Sequence, residues 1–270
     1  MNQTQNYEFT IVVPVFNEED CMDALCRKLE EYLPTALCKS CVLFVNDGST
    51  DKSLEKIQSA CQSHPGFFYL SYNKNSGKSA ALKAGFDACF SEYIGYIDAD
   101  LQTLPEDFNT LLEYRKEYTL VAGIRMNRQD TRSKKIQSKI GNAFRRSMTH
   151  DGAIDTGCPL KVMRTDAAKK MPFFTGMHRF IQALILLQEG TAKQIRVPSY
   201  ARVAGVSKYS MWNRLAGPFL DCLALRWMRK NYINYHVSNT DLVPVYPTGW
   251  TEADPNTGSG PDAEKNANQD

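Results

Sequence analysis

A chain of 270 residues, 43% hydrophobic and 23% charged, has the composition of a soluble domain and enough length to bury a sizeable core. Basic and acidic residues nearly cancel, at a net charge of +2, so the overall field does not recruit nucleic acid and only local clusters of charge matter. No apolar run reaches the ~18 residues that a bilayer-spanning helix needs; the longest candidate, Phe180 to Leu187, is far too short. Residues Met1 to Phe9 are polar and unlike a secretory leader, so the eight cysteines are expected to be reduced, mostly buried thiols. Cys38-x-x-Cys41 leads straight into an apolar strand, and no His or second Cys pair follows at zinc spacing, so it is read as packing.

In chain order, Phe9 to Phe16 is a β-branched run that predicts a first strand. Asn17 follows as the expected helix N-cap, with Glu18, Glu19 and Asp20 suited to the dipole of a first turn. Met22, Leu25, Leu29 and Leu33 then recur at helical spacing, and Pro34 ends the helix. Val42 to Val45 predicts a second strand that runs into Asn46-Asp47-Gly48-Ser49-Thr50-Asp51, and a second helix carries Leu54, Ile57 and Ala60. Phe67 to Ser71 is a third strand, Asn73 to Lys78 a polar loop, and about Ser79 to Phe90 an Ala-rich helix. Four strand–helix alternations within the first hundred residues predict a parallel, doubly wound sheet. Three of its strands end in loops rich in Asn, Asp and Glu, which gathers polar chemistry on one edge.

The fourth strand organises the rest. Tyr93-Ile94-Gly95-Tyr96-Ile97 is a buried run that ends in Asp98-Ala99-Asp100-Leu101-Gln102. With an extended backbone, Asp98 and Asp100 would face the same side at the carboxyl end of the strand, where ligands sit in open α/β sheets. Two hard carboxylates, with Gln102 as a candidate third ligand, suit Mg²⁺ or Mn²⁺ held through a substrate phosphate. The bland alternative for the motif alone is a solvated turn.

Val13-Pro14-Val15-Phe16-Asn17-Glu18, Val45 to Asp51, Asn75-Ser76-Gly77-Lys78 and Asp98-Ala99-Asp100, in this order and spacing, resemble the nucleotide-sugar half of family 2 glycosyltransferases. The resemblance implies the GT-A fold, a Rossmann-like α/β architecture with a mostly parallel sheet flanked by helices. It implies that Pro14, Asn17 and Glu18 line the base and ribose pocket, and that Asp47 contacts base or ribose. It also implies that Lys78, Asp98 and Ala99 lie at the donor, with Asp98 and Asp100 holding the metal on its diphosphate. Asn46 departs from the pattern, since many relatives carry an acid there. Asp155-Thr156-Gly157-Cys158-Pro159-Leu160-Lys161, Gly176 to Leu184 and Arg202-Val203-Ala204-Gly205-Val206-Ser207-Lys208-Tyr209 resemble the polyprenyl-phosphate branch of that family, which includes dolichyl-phosphate mannose synthases and undecaprenyl-phosphate glycosyltransferases. The paired transmembrane helices that many bacterial relatives append are absent from this sequence.

Between Arg125 and Arg146 eight basic residues face one acid, Asp130, in a block that is either a solvated face or an acceptor- and membrane-facing one. From Met211 to Lys230, Trp212, Leu215, Phe219, Leu223 and Trp227 recur at helical spacing among arginines, as in a segment lying in a membrane interface; a helix docked on the core is the competing reading. Pro218 is expected to kink or divide it. The chain thus divides into a GT-A domain (1–210), amphipathic helices (211–236) and a polar, disordered tail (237–270).

Transfer of sugar to a hydroxyl calls for a general base, and from 131 to 210 the acids are Asp151, Asp155, Asp166 and Glu189, with no Glu-Asp pair. A phosphate acceptor is already anionic and needs none. The expected function is therefore metal-dependent, inverting transfer from a nucleoside-diphosphate sugar to a polyprenyl phosphate at the cytoplasmic face of the inner membrane. Asp98, Asp100, Arg202 and Lys208 would carry catalysis, and Arg125, Arg179 and Ser207 would receive the acceptor phosphate. The alternatives are transfer to a saccharide hydroxyl and a silent nucleotide-sugar-binding scaffold.

Overall fold

The computed structural model describes residues 3–126, 141, 143–200 and 216–235. Residues Met1–Asn234 form one compact unit; of the second, Tyr235–Asp270, only Tyr235 is described, so the expected tail at 237–270 lies outside the described residues. Seven strands form one sheet: β1 (Phe9–Val15), β2 (Ser40–Asn46), β3 (Phe67–Ser71), β4 (Tyr93–Tyr96), β5 (Leu120–Arg125), β6 (Lys161–Arg164) and β7 (Ala192–Val197). Their spatial order is β3-β2-β1-β4-β6-β5-β7. The first four run parallel, β6 is antiparallel to both its neighbours, and β5 and β7 are parallel to each other.

The first four strands alternate with helices α1 (Glu19–Tyr32), α2 (Ser53–Ser63) and α3 (Lys78–Ala88), as the sequence periodicity predicts. Alternation along each strand divides the core in two. Ile11, Val13, Val42 and Phe44 point to the face covered by Met22, Leu25 and Leu29 of α1, Ile57 of α2, and Phe108 and Leu111 of the short helix α4 (Phe108–Leu112). Val12, Leu43, Val45 and Ile94 point to the other face. There they meet Ala81, Leu82 and Phe86 of α3, Ala168 of α5 (Thr165–Lys170), Leu184 and Ile185 of α6 (Ile181–Leu187), and Cys222 and Leu225 of α7 (Ala216–Asn231). Pro14 breaks no ladder bond toward β4, because the β1–β4 pairing ends at Val12↔Tyr96.

Strand order reverses between β1 and β4, and in such sheets the ligand crevice lies beyond the strands' carboxyl ends at that point. Two expectations are corrected here. Asn17 is not a cap: its φ is +53, the left-handed region that Asn tolerates, and α1 begins after Glu18. β4 stops at Tyr96, so Asp98 and Asp100 do not share the face of an extended strand; residues 99 and 100 turn instead, and Leu101 has φ +56. Pro218 lies near the start of α7, and residues 211–215, on the other side of the expected kink, lie outside the described residues.

Candidate active site

Four loops meet at the carboxyl edge, and their own hydrogen bonds hold them together. Asn17 donates its backbone N–H to Ser49 Oγ (3.0 Å), and its side-chain oxygen accepts from the Thr50 N–H (2.8 Å), so the loop after β1 is laced to the loop after β2. Asn46, the departure from the family pattern, is buried; its amide donates to Ser71 Oγ (2.9 Å) and accepts from the Ser49 N–H (3.2 Å). Asp47 closes the next loop. One carboxylate oxygen accepts from Ser76 N–H (2.7 Å), the other from Gly77 N–H (2.8 Å) and the Asn75 amide (3.1 Å). At 3% exposure, Asp47 has both carboxylate oxygens engaged by the loop after β3; the resemblance implies a base or ribose contact.

This clasp fixes the start of α3, and with it Lys78, which forms an ion pair with Asp98 beyond β4. Burial alone would raise the Asp98 carboxyl, but the charges of Lys78 and Arg125, with His178, hold it below its ordinary value. Ser79, the next residue, accepts from the Gly176 N–H (3.0 Å) and lies 3.0 Å from His178 Nδ1. Burial first, then Lys78 and Arg179, push the His178 pKa down to about 3, so the ring is neutral. Asp100 Oδ1 accepts from the Gln102 N–H (3.2 Å), an Asx-type turn that fixes this second carboxylate two residues after the first.

Two residues before Asp98, the Tyr96 ring meets two ammonium groups, Lys78 Nζ at 5.5 Å and Lys161 Nζ at 5.3 Å from its centroid. Lys161 is 3% exposed and donates to Tyr96 Oη (3.3 Å) and the Cys158 carbonyl. Burial pushes its pKa down to about 8. Arg125 is taken by Asp155: Nε and Nη2 donate to the two carboxylate oxygens at 2.9 and 3.0 Å, in a pair that is about 90% shielded. Arg145, expected within a basic face, turns inward to Asp151 and the Ala153 carbonyl and is 6% exposed. Residues 127–140, which carry most of the basic block, and Arg202, Ser207 and Lys208 lie outside the described residues.

The sequence model of the family described as Glycosyl transferase family 2 matches residues 10–171, which span β1 to α5 and all four loops of this edge. The protein belongs to glycosyltransferase family 2. Among its relatives, dodecaprenyl-phosphate galacturonate synthase of Rhizobium johnstonii is 30% identical over 84% of this chain and 68% of its own length. Undecaprenyl-phosphate 4-deoxy-4-formamido-L-arabinose transferase of Pectobacterium carotovorum is also 30% identical, over 82% of this chain and 68% of its own. The fold is similar to that of glucosyl-3-phosphoglycerate synthase from Mycobacterium tuberculosis, whose crystal structure holds Mn²⁺, uridine diphosphate and glucosyl-3-phosphoglycerate. The TM-score is 0.62 at 13% identity, covering 86% of this chain and 83% of that one. This family 2 glycosyltransferase thus has the GT-A fold.

The donor atoms at the turn fit a divalent cation. Asp98 is held ionised, Asp100 stands two residues on, and both present hard oxygen, which suits Mg²⁺ or Mn²⁺. Among the described residues no group of three His, Cys, Asp or Glu side chains comes together, so the remaining ligands must come from the donor diphosphate, water or an amide such as that of Gln102. His178 and Lys161 lie within the two motifs that resemble the polyprenyl-phosphate branch, but neither was given a role from the sequence. The signal for Lys161 was present, as a single charge inside the apolar run Leu160 to Met163. The contact of His178 with Ser79 could not be read from the sequence, since its partner lies 99 residues away.

Lys161 sets a pH dependence. Between its folded value of about 8 and the ordinary 10.5, the unfolded chain binds a proton that the folded one does not, so stability rises with pH there. Buried thiols raised to about 12, such as Cys26 and Cys41, act in the opposite sense above their ordinary 9. The comparison therefore runs from about pH 7 to about pH 9. Over that range wild type should gain about 1 kcal/mol relative to Lys161→Met in urea unfolding; equal pH slopes would remove the buried ammonium from the account.

Proposed function

We propose that the protein transfers a sugar from a nucleoside diphosphate to the phosphate of a polyprenyl lipid, at the cytoplasmic face of the inner membrane and with inversion at the anomeric carbon. The observation that carries this reading is the engagement of the second-half acids. Asp151 is fixed by Arg145, Asp155 by Arg125, and Asp166 pairs with Arg164 and caps the Ala167 N–H. None of these three carboxylates stands poised as a base for a hydroxyl. A phosphate oxygen is a nucleophile without one, and the names of both curated relatives above contain a polyprenyl phosphate.

In the reaction an acceptor phosphate oxygen forms a bond to the anomeric carbon as the bond to the donor diphosphate breaks. The electron pair leaves with the nucleoside diphosphate. Lys78 meets negative charge on that leaving group, and the clasp of Asp47 on residues 75–77 keeps Lys78 in place. Asp98 and Asp100, with Gln102, would hold Mg²⁺ or Mn²⁺, which supplies Lewis-acid stabilisation of the diphosphate when bound. Arg179, and from the sequence Arg202, Ser207 and Lys208, would grip phosphate. Arg125 acts through its charge, since Asp155 occupies its fork.

Helix α7 supports a peripheral membrane site. Cys222 and Leu225 are buried on the core, while Phe219, Leu220, Leu223 and Trp227 are 41–68% exposed on the rest of the helix, beside Arg226, Arg229 and Lys230. The two readings of this segment therefore describe two faces of one helix. Among the described residues no helix is long and apolar enough to cross a membrane.

The test of function is transfer of labelled sugar from UDP- and GDP-linked donors to undecaprenyl phosphate with Mg²⁺ or Mn²⁺. Product is expected with the phosphate and not with the free polyprenol, and Asp100→Asn should abolish it while leaving the melting temperature unchanged. Transfer to the polyprenol or to a saccharide hydroxyl instead would refute the reading. The membrane face is tested by vesicle sedimentation, with salt-sensitive binding to anionic vesicles that Trp227→Ser/Leu220→Ser weakens; equal binding to neutral vesicles would count against it.

A further inference from the structure

Arg179 follows His178 in the short turn Met177–Arg179, and its side chain is 35% exposed rather than in the core. Helix α7 brings Asp221 against it, with Arg179 Nη2 3.4 Å from Asp221 Oδ2. Arg179 Nε also donates to the Gly176 carbonyl (3.4 Å). The pair stands over Gly176, where a Cβ would fall 2.4 Å from Arg179 Nη2 and 3.0 Å from Asp221 Oδ2. Gly176, at φ +91, thus leaves room for a carboxylate and a guanidinium that come from positions 42 residues apart.

Docking of α7 does not account for this arrangement. The helix already has an apolar footing in Cys222 and Leu225, and Phe219 stacks on Phe144 with ring centroids 5.2 Å apart and planes at 17°. A partly exposed ion pair adds little to stability. It does restrict a long, flexible side chain, and a guanidinium has five donors, of which these contacts use two. The turn that bears Arg179 is itself fastened to the donor side. Gly176 N–H bonds to Ser79 Oγ, Ser79 bonds to His178, and Lys78 beside it pairs with Asp98.

We propose that Asp221 is a positioning residue: it holds Arg179 so that the guanidinium's remaining donors meet the acceptor phosphate, and it thereby ties the apolar, basic helix α7 to the active-site edge. This rests on the phosphate-acceptor reading above. Asp221 touches no substrate. Its effect passes through Arg179, and it places the acceptor-gripping charge on the same rigid frame as the residues exposed on α7.

The test is steady-state transfer to a short-chain polyprenyl phosphate in detergent, where vesicle binding does not enter, with melting temperatures taken alongside. Asp221→Asn should raise the acceptor KM on the order of tenfold and leave donor KM and saturating kcat within about twofold. Asp221→Glu should recover part of the loss, and Asp221→Asn should add nothing in an Arg179→Ala background. Unchanged acceptor KM in Asp221→Asn would overturn the proposal. So would a full additional loss in the Arg179→Ala background, or a parallel fall in kcat, donor affinity and melting temperature, since each marks a helix-docking role. If wild type itself transfers only to hydroxyl acceptors, the functional reading fails first and this proposal falls with it, an outcome seen without any variant.

Discussion

The ion pair between Lys78 and Asp98 is the contact on which the active-site edge depends. It joins the first residue of α3 to the turn beyond β4, across the point where strand order reverses. Both ends are fixed independently. Lys78 is placed by the Asp47 clasp on residues 75–77, and Asp98 by the end of a strand whose four residues are buried. At 24% and 29% side-chain exposure, the pair is dry enough for charge to act strongly and open enough for a diphosphate to enter. On the proposed reading, a negatively charged donor arriving there finds a cation already in position, so little reorganisation accompanies the reaction.

Around this pair, charge is arranged in layers. Lys161 lies beneath Tyr96, neutral His178 fills the side next to Lys78, and the Arg125–Asp155 fork closes the wall formed by β5. Each acid whose partner is seen in the second half is held by an arginine, which leaves the chemistry to positioning and charge neutralisation. That is an economical solution when the nucleophile is a phosphate, and a poor one when a hydroxyl must lose its proton.

Much of the fold was legible because its signals are local. Phe67–Ser71 was read to the residue, and the strand–helix alternation gave the parallel half of the sheet directly. The failures also have physical causes. Asn17 looked like a helix cap because Asn caps helices, but the same short amide tolerates left-handed backbone, and here it serves the Ser49–Thr50 loop. The Asp98–Asp100 pair was assigned correctly to the end of β4, yet not to a turn, since period-two alternation continues on paper after the hydrogen bonds stop at Tyr96. The role of Asp47 as a clasp, the contact of His178 with Ser79 and the contact of Asp221 with Arg179 rest on neighbours 29, 99 and 42 residues away. No window of sequence contains them.

The central claim is a single displacement in which an acceptor phosphate oxygen attacks the anomeric carbon without a protein base. The measurement that meets it most directly is the linkage and anomeric configuration of the purified product, by ³¹P-coupled proton NMR. The account predicts a glycosyl phosphate, with the sugar's first carbon coupled to the lipid phosphorus and its configuration opposite to that in the donor. Retained configuration, or a sugar carried on an oxygen that is not bound to phosphorus, would contradict it.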